Sequence, residues 1–84
     1  MSQKIFQLSL PVETTSVYLL CCSLADNETT ISTKNIQAIW NGSHEALVMG
    51  LETLEKRNVL LKIISDQEGN NVYKLVEDRK WKLR

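Results

Sequence analysis

Few side chains in this sequence can ligate a metal or attack a substrate. Cys21 and Cys22 are adjacent, and the one histidine, His44, lies far along the chain from them. A zinc site needs more ligands than these, and a disulfide between neighbours is strained. The pair reads as small apolar helix residues in a reducing compartment. His44 has no acid or nucleophile at a recognisable spacing, and no glycine-rich phosphate loop is present. The sequence therefore points to no enzyme, no cofactor and no metal. The chemistry left is that of charge and hydrogen bonding. Ten basic residues balance ten acidic ones. A protein that coats nucleic acid without regard to sequence is normally basic, so that class is disfavoured. The charge is unevenly spread. Residues 1–55 hold two basic and six acidic residues, a net of −4, and residues 56–84 hold eight and four, a net of +4. A neutral total thus covers a dipolar chain with a basic end.

The elements that position these groups fit one small domain spanning residues 1–84. A chain this short buries only about 60–65% of its unfolded surface, so association with a second copy would help it. Lys4 and the apolar run from Val17 to Cys22 faintly suggest a secretory signal. The run is too short, and cleavage near Ala25 would leave too little to fold. A membrane span needs about 20 apolar residues, so no membrane segment is expected and the cytoplasm is the expected location.

Residues 4–10 alternate Phe6, Leu8 and Leu10, which predicts a short strand or extended arm ended by Pro11. A first helix is expected from Thr14–Ser16, capped by hydroxyls, with Val17, Leu20, Cys21 and Leu24 as its stripe. Tyr18, Leu19 and Cys22 make it apolar almost all round. Asn27 is the expected left-handed end. Ser32 caps a short second helix facing inward with Ile36, Ile39 and Trp40, and Asn41-Gly42 marks a turn. A third helix runs from Ser43 to Arg57 with Leu47, Gly50, Leu51 and Leu54 inward, and Asn58 stands at its end. Then the period becomes extended. Val59–Ser65 and Val72–Val76, joined by a polar cluster around Gly69, predict a hairpin. Residues 78–84 alternate Trp81 and Leu83 with basic residues and are expected either to extend the second strand or to lie as a basic arm, with Trp81 packed back on the domain or on a second subunit. The expected core is Val17, Leu20, Leu24, Ile36, Ile39, Trp40, Leu47, Leu51, Leu54, Leu61 and Ile63.

Three helices followed by a hairpin resemble the winged helix-turn-helix DNA-binding superfamily. The resemblance rests on Ile36 and Trp40 at the first apolar positions of the helix-turn-helix, Ser43 at the helix start, and Leu47, Gly50, Leu51 and Leu54 in step after it. Leu54-Glu55-Lys56-Arg57-Asn58-Val59-Leu60 is similar to the end of such a recognition helix and its entry into the wing. The likeness covers residues 14–77. Two positions depart: Gln37 stands where a small residue is usual, and Gly42 falls one place late. A register shifted by one repairs both but puts Asn41 and Ser43 at apolar positions.

The resemblance implies an α+β winged helix with a short N-terminal strand or arm, acting as a small transcriptional regulator on double-stranded DNA. Helix three would enter the major groove. The implied contacts are Lys34, Ser43, His44, Glu52, Thr53 and Lys56, with Lys62 and Lys74 on the wing strands. Relatives commonly carry Arg or Lys where Met49 and Glu52 stand. Glu52 and Glu45 repel phosphates, although a glutamate can accept from cytosine. The hairpin tip is acidic too, with Asp66 and Glu68. The alternative is a winged-helix protein-interaction module, which the neutral charge and the surface Val48 and Met49 suit better. In either case the apolar first helix and the two termini suggest a homodimer.

Overall fold

A computed structural model describes residues 1–82; Leu83 and Arg84, the end of the basic tail, lie outside the described residues. The described chain runs through a 3₁₀ turn at Gln3–Leu8, α1 (Val12–Asp26), β1 (Ile31–Ser32), α2 (Thr33–Ile39), α3 (His44–Lys56), β2 (Leu60–Ile64), β3 (Val72–Leu75) and a second 3₁₀ turn at Asp78–Lys80. The class is α+β, with helices packed on a small antiparallel sheet in the order β1–β3–β2. None of the helices among the described residues is long and apolar enough to cross a membrane.

The N-terminal segment is a correction to the expected strand or arm. Its two buried residues, Ile5 and Leu8, are three apart, which is the repeat of a 3₁₀ helix. The hydroxyl of Ser2 caps it by accepting from the Lys4 N–H at 3.2 Å, and Ser9 ends it in the left-handed region at φ 54°. The helix period wins over the alternation of Phe6, Leu8 and Leu10, and Phe6 is left in solvent.

α1 begins at Val12, earlier than the Thr14–Ser16 start expected from capping chemistry. Pro11 sits at φ −55°, and its carbonyl accepts the first helical bond from Thr15 N–H at 3.1 Å. Thr14 is buried instead of serving as a cap. At the other end Glu28, not Asn27, takes positive φ at 56°. Asn27 stays at φ −91° while its side-chain amide donates to the Ser23 carbonyl.

β1 was not expected. Ile31 pairs with Tyr73 and Ser32 with Val72, which makes the hairpin a three-stranded sheet. Ser32 also caps α2, its hydroxyl accepting from Asn35 N–H at 3.1 Å. The turn into α3 is organised by Trp40. Its indole N–H donates to the Ser43 carbonyl at 2.8 Å, and its ring lies so close to Gly42 that a Cβ there would stand 2.7 Å from it. Ser43 caps α3 by accepting from Ala46 N–H. Leu47, Gly50, Leu51 and Leu54 are all buried, as their spacing predicts. Asn58 takes φ 62° and turns the chain into β2, also as expected.

The core departs from expectation mainly in β2. Leu60 faces inward, whereas Leu61 and Ile63 are 45% and 55% exposed. Ile64 is 59% exposed as well, so β2 buries only its first side chain and leaves both of its faces in solvent after Leu60. Ile39 is also exposed, and Leu20, Leu24 and Trp40 are only partly buried. The residues that fill the core instead include Ile5, Leu8, Tyr18, Cys22, Val59, Tyr73 and Trp81. Both cysteines are free and buried.

The tail through Lys82 neither extends β3 nor lies as a basic arm, and Trp81 packs back on the domain as expected. Trp81 packs edge-on against Tyr18 with ring centroids 5.6 Å apart, and its N–H donates to the Val76 carbonyl. Asn58 donates to the Lys80 carbonyl, and the Lys82 N–H donates to the Arg57 carbonyl. The N-terminus joins the same place. Ser2 N–H donates to Tyr18 Oη at 3.1 Å and Ser2 Oγ to Asp78 at 2.7 Å.

Two outcomes follow. Leu51→Ala lowers stability by about 2–5 kcal/mol, while Leu61→Ala or Ile63→Ala costs about 0.5 kcal/mol or less, because only Leu51 leaves a cavity. Urea denaturation of the three variants checks this. Burial pushes the Tyr18 hydroxyl up from the ordinary 10.0 to about 12, and the Cys21 thiol up from 9.0 to about 12. The fold therefore retains protons that the unfolded chain releases. The stability held below pH 9 falls as pH rises from about 9 toward 12. Tyr18→Phe should flatten part of that fall between pH 10 and 12; equal slopes in wild type and variant would contradict it.

Candidate functional site

α3 is held against α1 by its apolar stripe, so its other face is fixed in direction. His44, Glu45, Met49, Glu52 and Lys56 on that helix are exposed. Of these only His44 and Glu52, together with Val48 and Glu55, border a groove of about 640 Å³ that α3 forms with the start of α2 and the hairpin; Glu45, Met49 and Lys56 lie outside it. Lys34, His44, Glu52 and Lys62 line it, so four of the eight residues singled out from sequence meet in one place.

The other four have different situations. Ser43 is occupied as the α3 cap. Thr53 Oγ1 donates to the Met49 carbonyl at 2.8 Å, so its proton is already engaged within the helix. Lys56 is exposed in the last turn of α3, where the helix dipole favours a cation. Lys74 pairs across the hairpin with Leu61, whereas Lys62 pairs with Tyr73. By alternation Lys74 faces the outer side of the sheet and Lys62 the inner side, so the two wing-strand lysines do not share a surface.

The groove is more acidic than its lysines suggest. Glu52, Glu55, Asp66 and Glu68 line it beside Lys34 and Lys62. Lys62 Nζ lies 3.6 Å from Glu55, so part of its charge is already answered. Half-exposed pairs of this kind contribute about 0–1 kcal/mol, enough to bias a side chain and too little to lock it.

Several of these residues were not among the sequence candidates. Gln37 Nε2 donates to His44 Nδ1 at 3.2 Å, which ties α2 to α3 and leaves the proton of a neutral ring on Nε2. Its signal was present in the sequence, as a polar residue where the helix-turn-helix pattern wants a small one. Asn70 Oδ1 accepts from Lys34 N–H at 3.0 Å, and the Thr33 N–H donates to the Asn71 carbonyl at 2.9 Å. These bonds pin the returning end of the hairpin loop to the first turn of α2. No local pattern marks them, since they join residues 36 or more apart. Among the described residues no group of three metal-ligating side chains occurs. No family model, curated protein or solved structure matches the chain.

Asn70→Ala removes the acceptor for an otherwise orphan helix N–H. It should lower stability by about 1 kcal/mol, the usual cost of a lost N-terminal cap. Amide exchange should speed up at Lys34 in particular; unchanged protection there would contradict the contact.

Proposed function

We propose that the chain is a winged-helix DNA-binding domain, a small regulator that reads duplex DNA with α3 and flanks it with the β2–β3 hairpin. The observation that carries the reading is the exposure of α3: one flank, with His44, Glu52 and Glu55, lines a groove against the start of α2 and the hairpin, and its outer face, with Glu45, Met49 and Lys56, is in solvent. The order α1–β1–α2–α3–β2–β3, with β1 closing on β3, supports it. So does the tight turn at Gly42 that sets α2 against α3. His44 and Lys56 are the groups on α3 that can donate to DNA, and Glu52 can accept from a cytosine N4 amine. Lys34 and Lys62 at the groove are the phosphate candidates, and Lys74 serves only a backbone that wraps the outer side of the sheet. The reading assigns no reaction to the chain and keeps it in the reducing cytoplasm.

Four carboxylates around the groove make sequence-independent attraction weak, so specific contacts must carry the affinity. One observation favours a second reading, a protein-interaction module: the acidic groove and exposed Met49 suit a basic, partly apolar protein segment.

Selection from random duplexes, followed by titration at several salt concentrations, separates the two. In the DNA reading, Lys56→Ala weakens all sequences alike and lowers the salt slope by about one unit. Glu52→Gln changes base preference at one position or tightens binding generally. If neither substitution alters DNA affinity, α3 is not a recognition helix, and Met49→Ala weakening a protein contact would support the module instead.

A further inference from the structure

A second concavity lies away from the α3 groove, between the N-terminal 3₁₀ turn and the first half of α1. It has a volume of about 380 Å³ and is lined by five apolar side chains, Ile5, Phe6, Leu10, Val12 and Leu19, three hydroxyl side chains and no charged one. Phe6 is 60% and Val12 79% exposed at its edge. Met1 is exposed close by in sequence.

Phe6 cannot turn inward to relieve this exposure. Ile5 and Leu8 anchor its helical turn in the core, and Ser2 is bonded to both Tyr18 and Asp78. The turn therefore holds a phenyl ring in water on a fixed support. Fully burying such a side chain is worth about 1.5–3 kcal/mol.

We propose that this face is the interface between two copies of the chain related by a two-fold axis, with Phe6 of each copy seated in the groove of the other. Three observations select a second copy as the occupant. First, one face carries both the projecting ring and the cleft, which is the self-complementarity a two-fold interface requires. Second, no charged side chain lines the cleft, so a phosphate or a charged peptide finds no opposite charge there. Third, the charges beside the patch complement each other. Lys4 precedes Ile5, Glu13 follows Val12, and neither makes an ion pair among the described residues. The two-fold axis sets each Lys4 near Glu13 of the partner subunit. An ordinary dimer buries about 800 Å² per partner. That is about one seventh of this chain's 5592 Å² surface.

The interface leaves α3 free, because α3 packs on the Thr14 and Val17 side of α1. Under the DNA reading the pair presents two recognition helices to a palindromic site. The dimer itself does not depend on that reading.

Sedimentation equilibrium of the full chain, from about 1 µM to about 1 mM, tests it over the range where moderate dimers dissociate. The expected species is twice 9.6 kDa. Phe6→Asp should weaken dimerisation roughly 30-fold or more, the effect of losing a central anchor, with the monomer's melting temperature unchanged. Lys4→Glu and Glu13→Lys should each weaken it about 3- to 10-fold, and the two together should restore it. These surface changes keep the test valid even if Phe6→Asp disturbs folding. A 9.6 kDa species at every concentration, or a dimer indifferent to Phe6→Asp, overturns the proposal. So does failure of the double charge exchange to restore association.

Discussion

The close approach of α1 and α3 at Gly50 is the contact on which the rest of the molecule depends. A Cβ at Gly50 would lie 3.0 Å from Val17 Cγ2 and 3.5 Å from the Thr14 Cα. The absence of one methyl group therefore lets the two longest helices meet along Leu47, Leu51 and Leu54 on one side and Val17 and Cys21 on the other. Glycine in a helix interior costs about 1 kcal/mol relative to alanine. The tight seam offsets that by burying large side chains without a void. Once the seam forms, the direction of α3 is set, and with it the flank of His44, Val48, Glu52 and Glu55 that walls the groove.

The chain ends act as a second brace. Asn58 leaves α3 in the left-handed region, feeds β2 and donates to the Lys80 carbonyl, so one residue ends a helix and fastens the tail. Trp81 closes over Tyr18, and Ser2 bonds to the same tyrosine from the other terminus. A small domain with a limited core gains from tying its ends together, since loose termini bury nothing. The same brace fixes the 3₁₀ turn that carries Phe6, so a device that stabilises the fold also defines an apolar surface.

Electrostatics shape what the groove can accept. Of the basic residues between 56 and 82 only Lys62 lines the groove. Lys62 is turned to Glu55, Lys74 faces the outer side of the sheet, and Lys80 and Lys82 sit near the end of α3 with the tail. What reaches the groove is a few lysines among more carboxylates. Binding there must come from fitted contacts more than from long-range attraction.

The segment from α2 through α3 was legible because its signals are local. Ser32 and Ser43 cap helices through bonds to residues three positions on, and Leu47, Gly50, Leu51 and Leu54 repeat at the helical period. Asn58 declares a left-handed end by its residue type. The clustering of Lys34, His44, Glu52 and Lys62 followed from those helices plus a hairpin. Other features needed the third dimension. Nothing between residues 27 and 30 announces β1, because a two-residue strand exists only when Tyr73 and Val72 are there to pair with it. The burial of β2 was not legible because Leu60, Leu61, Ile63 and Ile64 are all apolar, and only the tertiary packing of the strand's first residue buries Leu60 and leaves the other three exposed. Residues 3–8 fit strand alternation and the 3₁₀ repeat alike until Ser2 and the Tyr18–Trp81 contact held them as a turn. The sequence by itself determined which residues prefer helix, cap and turn, since those preferences are set within a few bonds. Tertiary structure decided which apolar face is buried and which charges share a surface, since those depend on neighbours far away along the chain.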